Sequence, residues 1–307
     1  DVQADPPEAV VLSAAAFARD QQIDGVIGLG GGSSMDVAKL IAVLASGRED
    51  ITQLLESIYG IDLVLGDRLP LIQVPTTAGT GSEVTPISIV TTGATQKTGI
   101  VSKRLLPDFA ILDAQLTVGL PSHVTAATGV DAMVHAIEAF TSKAKKNAYS
   151  DMLAKQALLL LSDNIRQAYT DGSDLEARQA MLLGSMLAGQ AFANAPVAAV
   201  HALAYPLGGH FHVPHGLSNS LVLPPVLRFN AEAASALYAQ LLDYVKPGSA
   251  LTTDSAKCDA FIEEMESIID DVKLPQTLRD CGVGRQDLPT LASDAMPQQR
   301  LLVNNPV

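Results

Sequence analysis

The sequence predicts an α/β domain with a mainly parallel sheet, followed by an all-helical domain. Three observations carry this. Short apolar runs alternate with helical spacing over the first third, Ala, Leu and Met take over at three-to-four spacing beyond about residue 120, and 307 residues suffice for two separate cores.

The elements follow in order. Asp1 to Pro7 is a turn-rich opening, and residues 7–20 place Val10, Ala14, Phe17 and Ala18 at helical spacing. Gly25-Val26-Ile27-Gly28-Leu29 reads as a buried strand, broken by Gly30-Gly31-Gly32. The next helix is expected over 33–44, with Ser33 as its cap and Asp36 as the capping-box partner. Further strands are expected at 69–74, 84–91, 98–102 and 109–112. Helices are expected at 125–142, 149–169, 175–195, 231–245 and 255–271. The texture changes at 119–121, which divides the chain into domains 1–120 and 121–307.

A net charge of −13 offers no broad basic surface, so nucleic acid and anionic lipid are dropped as partners. The charge is unevenly spread. From Gln179 to Leu227 there are 49 residues without Asp, Glu, Lys or Arg, yet they hold four of the six histidines: His201, His210, His212 and His215. Pro196, Pro206, Pro214, Pro224 and Pro225, with Asn194 and Asn219, break this stretch and exclude a membrane span. Cys258 and Cys281 fit no metal or redox spacing and read as reduced thiols. No charged segment followed by an apolar one opens the chain, and a cytoplasmic setting is expected.

Three glycines between a strand and a helix let backbone amides approach a ligand without a Cβ in the way, which suits a pyrophosphate. The usual dinucleotide fingerprint is not met, since Ser33 stands where the third glycine belongs. A second loop, Pro75-Thr76-Thr77-Ala78-Gly79-Thr80-Gly81-Ser82-Glu83, follows the next strand, where open α/β sheets bind ligands. Two such loops favour a nucleotide crevice, and Lys97 is a candidate for a ribose or phosphate.

Asp131 and His135 stand at i and i+4 on an expected helix, so both project from one face. His201 and His215, each near an expected helix boundary, would complete a set of one carboxylate and three imidazoles suited to Fe²⁺ or Zn²⁺. On arithmetic alone His210 and His212 could substitute, and His123 could line the cleft.

Several segments together resemble the iron-containing, or group III, alcohol dehydrogenases. They are Gly30-Gly31-Gly32-Ser33 with Asp36, Ala38 and Lys39; Pro75-Thr76-Thr77-Ala78-Gly79-Thr80 with Glu83; Gly129-Val130-Asp131-Ala132 with His135, Ala136 and Glu138; and His201 with Tyr205-Pro206-Leu207-Gly208 and Pro214-His215-Gly216. The match runs in order through almost the whole chain. The resemblance implies an N-terminal dinucleotide-binding α/β domain and a helical C-terminal domain, with a metal in the cleft between them. It implies metal ligation by Asp131, His135, His201 and His215, leaving His210 and His212 as neighbours. It implies cofactor contacts at Gly31 and Gly32, and at Thr76, Thr77, Thr80, Thr85 and Lys97; Ser33 and Asp36, at the start of the helix after the glycine turn, are further cofactor-binding candidates. Many members carry a further histidine where this chain has Tyr205, which can still hydrogen-bond; Tyr205 and His210 are candidates for the substrate side. The family also has a strand, helix and strand before the position of Asp1 and a last helix after that of Val307. The implied activity is hydride transfer between NAD(P)(H) and a small alcohol or aldehyde, with the metal polarising the substrate oxygen, in a homodimer. A glycerol-type polyol dehydrogenase, a dehydroquinate synthase-like lyase and a non-catalytic dinucleotide-binding protein are the competing readings.

Overall fold

Helix α1 (Glu8–Asp20) forms because Val11, Ala15 and Ala18 fall on one face and bury there. It belongs to the first of two compact units, Asp1–Thr77 with Gly81–Leu116; the second is Ala78–Thr80 with Thr117–Val307. The structure is a computed structural model that describes residues 2–47, 52, 55, 60–61, 67–92 and 96–307; Asp1 of the turn-rich opening lies outside the described residues.

In the first unit, β1 (Val26–Gly30), β3 (Leu71–Pro75) and β6 (Phe109–Ala110) form a parallel sheet in the order β1-β3-β6. A second sheet has the order β2-β5-β4, built from β2 (Gly60–Ile61), β4 (Ile87–Thr92) and β5 (Gln96–Val101). Here β2 pairs parallel with β5, while β4 and β5 run antiparallel. Helix α2 (Gly32–Leu44) contributes Val37, Leu40, Val43 and Leu44 to a core shared with Val11, Ala15, Val90 and Ile100. Its Ala38 and Ala42 pack on Leu71 of the parallel sheet. On the opposite face of that sheet, Ile27 and Phe109 are both register partners of Ile72 and are 67% and 66% exposed. Leu29 and Ile111 are exposed as well.

The capping expectation is corrected. Helix α2 starts at Gly32 with Gly31 as its N-cap and no side-chain cap, so Ser33 is already helical and Asp36 stands in the second turn. The chain reaches this start through Gly30, whose φ of +143° a side chain would resist. The Asp36 carboxyl instead turns inward, accepting from the Ile89 amide at 2.8 Å and from the Ser82 hydroxyl at 2.6 Å. Beneath it, the fully buried Lys39 ammonium donates to Ser82 Oγ (2.8 Å), Thr85 Oγ1 (3.3 Å) and the Ile87 carbonyl (2.6 Å). These bonds pin the 82–87 segment to α2.

The second unit is helical: α3 (Ser122–Thr141), α4 (Ala148–Thr170), α5 (Leu175–Asn194), α6 (Ala199–Phe211), α7 (His215–Val245), α8 (Asp254–Asp271), α9 (Leu288–Ala295) and α10 (Gln299–Leu302). Side chains of Asn147, Asp174 and Thr253 cap α4, α5 and α8. Helix α3 is central, buried continuously from Gly129 to Thr141 and packed by α4, α5 and α7. The helix expected over 231–245 is in fact the end of α7, which begins at His215 and runs through Pro224 and Pro225. Among the described residues no helix is long and apolar enough to cross a membrane.

Candidate metal centre

Two helices each present an i, i+4 pair to one point in the second unit. Helix α3 supplies Asp131 and His135, α7 supplies His215 and Asn219, and α6 adds His201. One ligand atom each from Asp131, His135 and His201 lies within 4.8 Å of the others, and all three residues are buried. His215 joins them, its Nε2 3.7 Å from Asp131 Oδ1, while His201 Nε2 is 3.9 Å from the same oxygen. The rings of His135 and His201 stack at 4.7 Å, and Phe192 of α5 stacks on the other side of His135 at 4.4 Å.

Packing brings His215 in. A Cβ on Gly216 would stand 2.4 Å from the Ala127 carbonyl oxygen, so only glycine lets the first turn of α7 rest on the α3 backbone.

The outer nitrogens determine what the inner ones can do. His135 Nδ1 lies 3.1 Å from the Gly79 carbonyl, which can only accept, so Nδ1 carries the proton and Nε2 keeps its lone pair. Burial holds this imidazole neutral, its pKa pushed down to about 3 despite the Asp131 carboxylate. His201 Nδ1 donates to Glu138 Oε2 at 2.6 Å. Burial lowers its pKa, but the Glu138 carboxylate and then Asp131 outweigh that, and the net shift is upward. For Asp131, burial works against ionisation, yet His135, His215, His201 and the Asn219 amide bring its pKa below the usual carboxylate range.

The donor set fits a divalent cation. The Asn219 amide nitrogen donates to Asp131 Oδ1 and lies 3.3 Å from both His201 Nε2 and His215 Nε2, so three ligand atoms converge on one point. Asn219 Oδ1 is buried and has no hydrogen-bond partner among the described residues. One carboxylate and three imidazoles are borderline-to-hard donors of the kind iron and zinc take.

Other expected residues lie elsewhere. Tyr205, on α6 one turn beyond His201, has its ring 6.2 Å from that of His215. His210 is half exposed and paired with Asp294 at 2.6 Å, and His212 is the exposed left-handed cap of α6. His123 is exposed at the start of α3. In the first unit, the Thr76 amide bonds the Gly30 carbonyl, which joins the two glycine- and threonine-rich loops, and Gly31 faces Thr77. Asp36 and Thr85 are engaged with Lys39 and its neighbours, and Lys97 pairs with Asp5 at 2.7 Å. Two residues of this site were given no role there by sequence reasoning, although Glu138 stands in one of the segments that carry the family resemblance. The spacing of Asn219 from His215 repeats that of His135 from Asp131 and could have revealed it, whereas the role of Glu138 rests on a contact no local pattern encodes.

An α/β unit with a glycine turn into a helix, together with a helical unit carrying a carboxylate and three imidazoles, is an arrangement suited to a nucleotide and a divalent cation. The comparisons agree. Residues 1–114 match the family model for iron-containing alcohol dehydrogenase, and residues 125–307 match that for the C-terminal part of the Fe-containing alcohol dehydrogenase family. The chain belongs to the iron-containing alcohol dehydrogenase family. It is 44% identical to long-chain-alcohol dehydrogenase 1 of Geobacillus thermodenitrificans, over all of this chain and 77% of the relative. A crystal structure of a 1,3-propanediol oxidoreductase superposes with a TM-score of 0.94 at 37% identity, covering all of this chain and 79% of the other. Sulfoacetaldehyde reductase from Bifidobacterium kashiwanohense, solved with NAD⁺, gives a TM-score of 0.88 at 30% identity, covering all of this chain and 78% of the other.

Proposed function

We propose that Asp131, His135, His201 and His215 hold one divalent iron ion and that the chain interconverts a small alcohol and its aldehyde with NAD as the hydride carrier. The observation that carries this is the convergence of the Asp131 carboxylate with the His135 and His201 imidazoles in a buried cluster, the outer nitrogens of both rings being already tied to acceptors, and with His215 beside it. When bound, the ion supplies a Lewis acid for the substrate oxygen and the nicotinamide supplies or takes the hydride. Asp131 provides negative charge, and His135 enters as a neutral donor held by Gly79. Phe192, stacked on His135, keeps water from that side of the centre. Tyr205, near His215, is suited to hydrogen-bond the substrate.

In the first unit, Gly31 and Gly32 with the first-turn amides of α2 are suited to a pyrophosphate, and Ser33, Thr76 and Thr77 to the phosphates and ribose. Asp36 and Thr85 act indirectly, by holding the 82–87 segment through Ser82 and Lys39. NAD is preferred to NADP because the sulfoacetaldehyde reductase relative was solved with NAD⁺. Zinc suits the same donors as iron, and elemental analysis of purified protein decides between them.

The test is alanine substitution of Asp131 or His215. Each variant is expected to lose both bound metal, by elemental analysis, and NADH oxidation with a panel of alkyl and hydroxyalkyl aldehydes. Activity retained by a metal-free variant sinks the reading.

A further inference from the structure

We propose that Glu138 is a positioning residue of the metal centre: its carboxylate fixes which nitrogen of His201 faces the ion. This rests on the metal-site reading above. Glu138 lies on α3, one turn beyond His135 on the face that carries Asp131, and is 4% exposed. Each of its oxygens has a separate task. Oε2 accepts the His201 Nδ1 proton at 2.6 Å, and Oε1 accepts the Val200 amide at 2.7 Å.

The second bond explains how the first can be accurate. Helix α6 begins at Ala199, and its N-cap residue Ala198 offers no side-chain acceptor. Glu138 therefore caps α6 from another helix, and its charge complements the positive helix start. The residue after the capped amide is His201 itself. Backbone and ring are thus held by one carboxylate, leaving Nε2 as the nitrogen aimed toward Asp131. Glu138 also tempers the charge of the centre. A doubly charged cation with Asp131 alone keeps one net positive charge, and the buried Glu138 carboxylate cancels it.

Glutamine at this position discriminates the role, because it keeps the shape and replaces one acceptor by a donor. Whichever way the amide turns, it faces an N–H. Either the Val200 amide loses its acceptor, or His201 moves its proton onto Nε2, the atom that must be bare to bind a metal.

The experiment is competition for Zn²⁺ between a chromophoric chelator and the metal-stripped full chain, as wild type and as Glu138→Gln. The expected result is affinity about 10–100-fold weaker in the variant. Equal affinity in the two proteins overturns the proposal, whereas no binding by the wild type overturns the metal-site reading beneath it. A second measurement needs no variant. In the zinc-loaded wild type labelled with ¹⁵N-histidine, the His201 Nδ1 proton is expected as a downfield, slowly exchanging resonance; a His201 ring protonated at Nε2 instead overturns the proposal.

Discussion

A histidine binds a metal only through a nitrogen without a proton, and in two of the three proposed histidine ligands an acceptor behind the ring selects that nitrogen. Gly79 does so for His135 and Glu138 for His201. A different buried carboxyl, Glu83 in the first unit, governs a pH effect. Burial, opposed by its own backbone amide and Lys39, raises its pKa from 4.5 to about 7. Between those values the folded chain binds a proton that the unfolded chain has released. The stability from the neutral carboxyl is therefore complete below about pH 4.5 and lost as pH rises through about 7. Glu83→Gln stays neutral throughout. It is expected to flatten the fall in urea midpoint across this window and to gain up to about 3 kcal/mol over wild type above about pH 8. An unchanged slope would count against Glu83 as its source. At this scale the sequence was partly legible. Asp131 and His135 are readable because helical period converts spacing into a shared face. His201 and His215 could be chosen over His210 and His212 only by resemblance, because that choice depends on where two helices start. The contact of Glu138 with His201 spans 63 residues, and nothing local announces it.

Elements are placed by backbones as much as by apolar faces, and Gly216 is the clearest case. Its substitution by alanine puts a methyl group against the Ala127 carbonyl, so the first turn of α7 must move and carry His215 with it. The expected outcome is a loss of about 1–3 kcal/mol in thermal or urea unfolding, with weaker zinc binding in the same chelator competition. Wild-type zinc affinity in Gly216→Ala would mean that the first turn of α7 does not set the position of His215. Helices and strands were mostly legible from period, but their ends and directions were less so. The α2 start lies one residue before the expected one, enough to undo a capping box built on Ser33 and Asp36. Strands were expected at 84–91 and 98–102, but nothing in the sequence showed that β4 and β5 run antiparallel. Pro224 and Pro225 argued for a break where α7 continues, because the apolar packing of Leu221, Leu223, Val226 and Leu227 holds both sides of the pair in one helix.

For the whole molecule, the four proposed ligands fall in one compact unit. Chelation is expected to lower the unfolding temperature of the helical unit while leaving the α/β transition where it was; calorimetry with and without EDTA reads this. The size follows from ligand linkage, about 2.7 kcal/mol at a free metal concentration a hundred times the dissociation constant. Equal displacement of both transitions would contradict a metal site confined to the helical unit. The two-part plan was legible because texture changes near residue 120, yet composition cannot reveal that Ala78–Thr80 belongs with the helices.

That three-residue excursion bears on how the chain can be dissected. A polypeptide beginning at Thr117 would carry Asp131 and all three proposed ligand histidines but lack the Gly79 carbonyl that orients His135. No single cut yields two self-sufficient fragments. Completing the proposed metal pocket also requires closing a loop of 56 residues between Gly79 and His135, so its formation is expected among the later events of folding.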